Sequence, residues 1–243
     1  MSADESRHFA EDSPDSRPLV VLTGSSRGIG RAAAIALGAA GARLALLGRQ
    51  SSAQRDTLDR LGASQIDYRF YEVDLVDPNQ IQAAAHRLLE LQGTPCAVVS
   101  NAGVIERCEV QTTSCAAWDR QQAVNLRAPF LLDQALLPSM LRARRGRFVH
   151  VASIAATVGT ARAAAYCASK GGLVGFTKSL AAELTDTGLS AVAILPGSVD
   201  TEMLVGSGFV PRMTVDEVAQ TITHFALIAP LAHNGACIEM FGI

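Results

Sequence analysis

The amino-acid sequence predicts one α/β domain built on a doubly wound, seven-stranded parallel sheet with helices on both faces. Short apolar runs alternate with helical patterns from Pro18 to the end of the chain, which is the order expected for parallel strands joined by helices. Most of these runs are apolar at every position, as is typical of strands that are buried on both faces. The chain has 243 residues, 49% of them apolar, and is long enough for one large core.

Seven apolar runs are predicted as strands. They are residues 19–23, 43–47, 69–74, 96–100, 147–152, 190–195 and 236–240. Doubly wound sheets bind ligands beyond the carboxyl ends of their strands, near the point where the strand order reverses. A functional site is therefore expected in the segments that directly follow these runs.

Helix-end signals lie between the predicted strands. The first helix is predicted over residues 28–40, with Gly41 as its C-terminal glycine. Asp77 precedes a proline and has the position of an N-cap. Thr214 and Glu217 have the spacing of a capping box, which predicts the start of another helix.

The composition excludes several classes of protein. The net charge is −2 and the pI is about 6.2, so no general attraction to nucleic acid or to an anionic membrane is expected. No apolar run approaches the roughly 20 residues that span a bilayer. The five cysteines are odd in number and include no C-x-x-C pair, which fits reduced thiols in a cytoplasmic protein. There is no H-E-x-x-H motif to indicate a metal.

The N-terminal segment differs in character from the rest. Residues 1–17 are polar and acidic and lack the apolar stretch of a secretory signal. We expect a disordered tail there. One folded domain is expected over residues 18–243.

A glycine-rich turn follows the first strand, in the stretch TGSSRGIG. Glycines at positions 24, 28 and 30 would let the backbone turn sharply and approach a ligand, and the next helix would direct free N–H groups at an anion such as a pyrophosphate. The alternative is a tight turn without a ligand. The candidate dinucleotide contacts here are Gly24, Ser26, Arg27, Gly28, Ile29 and Gly30.

The end of the second strand distinguishes between dinucleotides. Sites for NAD place an acidic residue there to hold the ribose 2′-hydroxyl, whereas this chain has Gly48 followed by Arg49. Arg27 supplies a second guanidinium, and arginine can bind a 2′-phosphate through two parallel hydrogen bonds. The sequence therefore favours NADP(H) over NAD(H). The alternative for Arg49 is a side chain that points into solvent.

Tyr166 and Lys170 lie four residues apart in a chain with three tyrosines and two lysines. On a helix this spacing puts both side chains on one face. A nearby ammonium favours the phenolate and would lower the tyrosine pKa toward neutrality, which would make the phenol useful as an acid or base. The alternative is an amphipathic helix that carries the two residues incidentally.

These features together resemble the short-chain dehydrogenase/reductase family over about residues 18–241. The matching motifs are TGSSRGIG at 23–30, SNAG at 100–103, AVNLRAPF with Asn125, VASIAA with Ser153, the Tyr166 and Lys170 pair, and PGSVDT at 196–201. The resemblance implies a single-domain Rossmann fold that serves as a dinucleotide-binding catalytic domain. It makes an incidental origin of the Tyr166 and Lys170 pair a poor explanation.

The resemblance also implies roles for individual residues. Tyr166 would exchange a proton with the carbonyl or alcohol oxygen, and Ser153 would polarise that oxygen. Lys170 would tune Tyr166 and bind the nicotinamide ribose, and Asn125 would hold a water molecule that links Lys170 to solvent. Asp74 would accept a hydrogen bond from the adenine. Further cofactor contacts would be Leu75, Asn101, Ala102, Gly103, Pro196, Gly197, Val199 and Thr201, with no metal.

Some stretches depart from the family pattern. Ser100 stands where a second asparagine is usual, which would alter a structural hydrogen bond. The segment 199–213, which we call the lid, is short and apolar and would make the substrate pocket mainly apolar; the alternative is that its apolar residues pack on the sheet or on a neighbouring subunit. Residues 163–187 form a helix rich in alanine and glycine, and in this family such a helix commonly joins subunits, so we expect a homodimer or homotetramer.

The expected activity is NADP(H)-dependent interconversion of a carbonyl and a secondary alcohol, with a small, mainly apolar molecule as substrate. One alternative is reduction of a 3-oxoacyl thioester, including one on acyl-carrier protein. Leu131 and Ala182 weaken that alternative because carrier-protein reductases have basic residues at those places. An alternative of another class is a non-catalytic NADP(H)-binding redox sensor.

Overall fold

Seven parallel strands form one sheet in the computed structural model, which describes residues 17–242. They are β1 (Leu19–Thr23), β2 (Arg43–Gly48), β3 (Tyr68–Glu72), β4 (Ala97–Ser100), β5 (Gly146–Val151), β6 (Leu189–Pro196) and β7 (Cys237–Met240). Their order is β3-β2-β1-β4-β5-β6-β7, and every pairing is parallel. The strand order therefore reverses between β1 and β4, and the predicted fold class is confirmed.

Seven α-helices cover the two faces of the sheet within the described part of the chain. They are α1 (Gly28–Ala39), α2 (Ser52–Ala63), α3 (Pro78–Gln92), α4 (Cys115–Gln122), α5 (Ala128–Ala143), α6 (Ala164–Glu183) and α7 (Val215–Leu227). The apolar residues of α1 and α7 share one core cluster with alternate residues of β1 and β2. Those of α3, α5 and the end of α6 form a second cluster on the opposite face. Continuous apolar strands follow from this two-sided burial.

The predicted helix ends agree closely with the structure. Asp77 caps α3, and its carboxylate accepts hydrogen bonds from the backbone N–H groups of the first turn, the shortest at 2.9 Å. Thr214 and Glu217 form the predicted capping box of α7. The first helix ends at Ala39, and Gly41 follows with a positive φ of 89°.

One predicted boundary differs from the structure, and another lies largely outside the described residues. The strand predicted over residues 69–74 is wrong at its C-terminal end, because β3 stops at Glu72. As an edge strand, β3 has a paired neighbour only on the β2 side, and its last predicted residues leave the ladder to lead into α3. The tail predicted for residues 1–17 lies outside the described residues except for Arg17, whose guanidinium pairs with Asp67 at 2.7 Å.

A fully buried polar cluster holds β5 against two helices. His150 on β5 makes hydrogen bonds of 2.8 Å to the Asp133 carboxylate on α5 and to the Thr177 hydroxyl on α6. Burial raises the pKa of Asp133, and the neighbouring imidazole opposes that rise. A buried polar group costs free energy of folding when it lacks a partner, so the cluster favours a single arrangement of β5 and α6. The candidate site lies on α6 and just beyond the end of β5.

No helix within residues 17–242 is long and apolar enough to cross a bilayer.

Candidate active site

A cleft of about 1360 Å³ opens at the carboxyl ends of the strands, beside the reversal of strand order. Of the predicted site residues, only Asn125 does not line it. The predicted residues that line the cleft are Gly24, Ser26, Arg27, Gly28, Ile29, Gly30, Arg49, Asp74, Leu75, Asn101, Ala102, Gly103, Ser153, Tyr166, Lys170, Pro196, Gly197, Val199 and Thr201. The structure therefore brings together segments that are far apart in the sequence.

The glycine turn is shaped by close backbone packing. A Cβ on Gly30 would lie 1.9 Å from the Gly24 carbonyl oxygen, and one on Gly24 would lie 2.7 Å from the Ala102 Cα. Gly28 has φ +53° and begins α1, whose N-cap, Arg27, makes no side-chain capping bond. The first N–H groups of α1 are therefore available at the wall of the cleft. This arrangement fits a bound pyrophosphate.

Arg31 holds the glycine turn in place. Its guanidinium donates to the Ser26 carbonyl at 2.7 Å and to the Thr57 hydroxyl at 2.9 Å, and it pairs with Asp56 at 2.8 Å. These contacts join the turn to α2. No local sequence pattern predicts this role of Arg31, because two of its partners, Asp56 and Thr57, lie about 25 positions along the chain.

Asn101 also supports the turn. Its amide donates to the Gly24 carbonyl oxygen at 3.1 Å and to that of Thr23 at 3.2 Å, while the Thr23 hydroxyl accepts from the Asn101 and Ala102 N–H groups at 3.1 Å. The neighbouring Ser100 hydroxyl is buried, with no hydrogen-bond partner among residues 17–242. An unpaired buried hydroxyl costs free energy of folding.

We therefore expect Ser100→Ala to leave the stability unchanged or to raise it by up to about 1 kcal/mol, because it removes a buried hydroxyl that has no partner. Thermal unfolding measures the effect. Ser139→Ala is the matched control: it removes a buried hydroxyl that donates to the Leu136 carbonyl at 2.8 Å, and a loss of about 1 kcal/mol is expected. An equal loss in the two variants would show that Ser100 has a structural hydrogen bond after all.

Arg27 and Arg49, the two residues predicted to bind a 2′-phosphate, both line the cleft. Arg49 directly follows β2 and is exposed. Arg27 forms an ion pair with Glu202 across the mouth of the cleft. Both partners of that pair are largely exposed, so it contributes little to stability and can exchange with another anion.

Asp74 lies beyond the end of β3 on the wall of the cleft. One of its carboxylate oxygens accepts from the Val76 N–H at 3.0 Å, which leaves acceptor capacity for a ligand.

Tyr166 and Lys170 lie on the first turns of α6 and both line the cleft, with the Lys170 Nζ 5.9 Å from the centroid of the Tyr166 ring. The Lys170 ammonium donates to the Val151 carbonyl at the end of β5 at 2.7 Å. Ser153 lies just beyond the same strand, and its hydroxyl accepts from the Ala155 N–H at 3.1 Å. The predicted serine, tyrosine and lysine are therefore neighbours in space.

The tuning of Tyr166 by Lys170 stays a prediction, and Lys170 is not among the groups that set the direction of the Tyr166 pKa here. Burial raises the pKa of Tyr166, and the groups that oppose the rise are a hydrogen bond with Ser153 and the positive charge of Arg107. Burial also lowers the pKa of Lys170 to about 8, so its ammonium loses its proton at a lower pH than that of an exposed lysine. The ammonium bonds to a carbonyl of β5 and lies beside the ring, which explains why it is not the group that acts most on the phenol.

Asn125 is fully buried in a π-helical turn, Ala123–Arg127, that connects α4 to α5. Its amide donates to the Val104 carbonyl and to the Ser169 hydroxyl, each at 2.9 Å, and its oxygen accepts from the Val104 N–H at 2.8 Å. The side chain thus fixes the segment after Gly103. A Cβ on Gly103 would lie 3.6 Å from Asn125 Oδ1 and 3.5 Å from Lys170 Nζ, so the two groups flank one small space.

The lid only partly forms the apolar wall that was predicted. Val199 is buried, and Met203, Leu204 and Phe209 line the cleft. Val205 and Val210 do not line it and are about three-quarters exposed. Arg107 and Arg120, which no sequence motif marks, line the cleft as well and make it less apolar than expected.

Comparison with known proteins places this site in a family. The model of the family described as short chain dehydrogenase matches residues 18–208. A D-threitol dehydrogenase of Mycolicibacterium smegmatis is 36% identical over 76% of this chain and 71% of its own length. A 3-oxoacyl-(acyl-carrier-protein) reductase of Escherichia coli is 31% identical over 76% of this chain and 75% of its own. A solved structure, a blue fluorescent protein from a metagenomic library in complex with NADPH, is 28% identical and superposes with a TM-score of 0.85 over 93% of this chain and 96% of its own.

Proposed function

Because this chain belongs to the short-chain dehydrogenase family, it is an oxidoreductase that acts on a carbonyl or a CH–OH group, and we propose that it uses NADP(H) with Tyr166 as the general acid and base. The observation that carries the proposal is the convergence of Ser153, Tyr166 and Lys170 on one wall of a cleft whose other end is a glycine turn with free helix N–H groups.

In the proposed reaction, the bound nicotinamide supplies or accepts the hydride. The Tyr166 hydroxyl donates a proton to the carbonyl oxygen during reduction and takes it back during oxidation. Ser153 lies next to Tyr166 and donates a hydrogen bond to the same oxygen, which stabilises the charge that develops there. Lys170 holds the ribose and carries positive charge below its pKa of about 8. Asn125 keeps the segment after Gly103 in place beside Lys170.

The remaining predicted contacts have proposed roles in cofactor binding. Asp74 and Leu75 would enclose the adenine, and Asn101, Ala102 and Gly103 would form the floor of the site. Pro196, Gly197, Val199 and Thr201 would hold the nicotinamide end. Thr201 already lies against the glycine turn, since a Cβ on Gly28 would lie 3.3 Å from its Cγ2.

The preference for NADP(H) rests on Arg49 and Arg27 and on the lack of an acidic residue at the end of β2. We expect Arg49→Gln to weaken NADPH binding by about 10- to 100-fold, because a charge-assisted hydrogen bond to the 2′-phosphate is lost. Binding of NADH should change by less than about twofold, since NADH has a neutral 2′-hydroxyl there in place of the phosphate.

Fluorescence titration with both dinucleotides measures this selectivity. Arg55→Gln is the control, because Arg55 is exposed on α2 and does not line the cleft. A parallel loss of affinity for both dinucleotides in Arg49→Gln would contradict a role for Arg49 at the 2′-phosphate.

Reduction of a 3-oxoacyl thioester is the second candidate, and the likeness to the Escherichia coli carrier-protein reductase favours it. The surface that would grip an acidic carrier lacks basic side chains at Leu131 and Ala182. A non-catalytic redox sensor has less support, because the residues proposed for catalysis are all present and lie together.

We propose that the chain forms a homodimer or homotetramer through α5 and α6. Gly175 and Ala182 are small residues exposed on α6. Phe130 on α5 packs edge-on against Phe176 of α6 while remaining 41% exposed. Light scattering should give two or four times the chain mass of 25.5 kDa, and Gly175→Arg should reduce it. Gly62→Arg is the control, since Gly62 on α2 also has open space around it. A single-chain mass for the unmutated protein would contradict this assembly.

The proposed activity is tested by following NADPH consumption with ketones, 3-oxoacyl thioesters and sugar-derived ketones, and NADH consumption in parallel. Faster turnover with NADPH on at least one ketone supports the proposal. Tight NADPH binding without consumption on the whole panel would favour the redox-sensor alternative.

A further inference from the structure

The loop between β4 and α4 brings an arginine to the substrate end of the cleft. The backbone on either side of Arg107 is fixed: the Cys108 N–H donates to the Arg162 carbonyl at 2.9 Å, and the Glu106 N–H donates to Gln121 Oε1 at 3.3 Å. Cys108 also forms a β-bridge with Ala163, the N-cap of α6. Arg107 is therefore held beside the turn of α6 that carries Tyr166.

The Arg107 side chain lines the cleft that holds the reacting group. It is partly buried and lines the cleft together with Ser153 and Tyr166. Its positive charge acts on the Tyr166 hydroxyl, whose pKa it holds below the value that burial alone would give. The loop that carries Arg107 thus lies at the end of the cleft where α6 begins.

The charge of Arg107 is not balanced within residues 17–242. No carboxylate in this range forms an ion pair with it. On the same loop, Glu106 is exposed and the Glu109 carboxylate accepts a hydrogen bond from Gln111 at 2.9 Å. A partly buried guanidinium without a counter-ion has hydrogen-bond donors available to an anion that binds beside it.

We infer that Arg107 binds an anionic group of the substrate, so that the substrate is a keto acid or hydroxy acid, or another carbonyl or alcohol compound with an oxyanion close to the reacting carbon. The planar guanidinium suits carboxylate, sulfonate and phosphate oxygens, which it can bind through two hydrogen bonds. The apolar side chains of Ile154, Leu204 and Phe209 line the same cleft and would contact the rest of the molecule. This inference rests on the proposed function.

The test compares each keto acid with its methyl ester, which has nearly the same shape and no charge. The unmodified enzyme should prefer the acid by about 10- to 100-fold in kcat/KM, because a charge-assisted hydrogen bond is available only to the acid. Arg107→Gln should lower kcat/KM for the acid by a similar factor, mainly through KM. On the ester, its effect should stay within about threefold, and Arg107→Lys should restore part of the preference. The same comparison with keto sulfonates and keto phosphonates, each against its neutral ester, shows which oxyanion Arg107 binds best.

Arg162→Gln is the matched control, since Arg162 is exposed next to Ala163 and does not line the cleft. NADPH affinity and thermal unfolding confirm that each variant is folded. Equal losses on acid and ester in Arg107→Gln, with the activity profile moved to higher pH, would overturn the inference and leave Arg107 as a residue that only tunes Tyr166. No preference for any anionic substrate would also overturn it. If neither charged nor neutral ketones are reduced, the proposed function itself is contradicted, and with it the inference on Arg107.

Discussion

Replacing Tyr166 by phenylalanine is expected to lower kcat by about 10²- to 10⁴-fold, the contribution typical of a positioned general acid. The substitution removes one hydroxyl from a buried ring on α6 and leaves the ring's packing intact. NADPH affinity should change by less than about threefold, because the glycine turn and the basic residues near Arg49 are untouched. Stopped-flow measurement of NADPH oxidation and a binding titration give the two quantities.

Tyr68→Phe serves as the control, because Tyr68 lies on the edge strand β3 and does not line the cleft. It should keep full activity. Retention of more than about a tenth of kcat in Tyr166→Phe would remove Tyr166 from the proposed role, whatever the substrate.

Lys170→Met should abolish most activity and at the same time stabilise the protein without cofactor. Burial lowers the pKa of Lys170 from its ordinary 10.5 to about 8, so at neutral pH the folded chain holds an ammonium that burial disfavours. The full penalty is roughly 3 kcal/mol at most. A gain of about 1–2 kcal/mol is expected, because the Val151 carbonyl loses its hydrogen bond from Lys170.

The burial of Lys170 also makes the free energy of unfolding depend on pH. Between about pH 8 and pH 10.5 the unfolded chain binds a proton at Lys170 that the folded chain does not, so the contribution of this group to stability rises with pH in that window. Below about pH 8 both states are protonated and the penalty is constant. Lys170→Met should therefore lose this rise.

Lys178→Met is the matched control, since Lys178 is the other lysine of the chain and lies exposed on the same helix. It should change neither activity nor the pH dependence of unfolding. Denaturant unfolding at a series of pH values measures the effect, and a Lys170→Met variant that is less stable than the unmodified protein at pH 7 would contradict the burial penalty.

Much of the fold was predictable because its signals are local. Short, mostly apolar runs predicted the strands, and the caps at Asp77 and Thr214 predicted where α3 and α7 begin. The spacing of Tyr166 and Lys170 predicted that both side chains lie on one face of α6, and both line the cleft. The assignment of roles to these residues stays a prediction.

What the sequence did not predict depends on contacts between distant segments. Arg31 acts through partners on α2, and His150 acts through Asp133 and Thr177 on two separate helices. Arg107 reaches the site because its loop pairs with residues 162–163, more than 50 positions along the chain. The upward shift of the Tyr166 pKa could not be predicted from spacing alone, because the effect of burial outweighs that of the neighbouring charges.

The most direct test of the central claim is to follow deuterium from NADPH labelled at C4 of the nicotinamide into the product. With both C4 hydrogens replaced by deuterium, we predict that one deuterium per NADPH consumed appears on the carbon of the new alcohol, and that Tyr166→Phe binds the labelled cofactor but transfers almost none. Binding of NADPH by the unmodified protein without transfer to any ketone, keto acid or 3-oxoacyl thioester would contradict the claim.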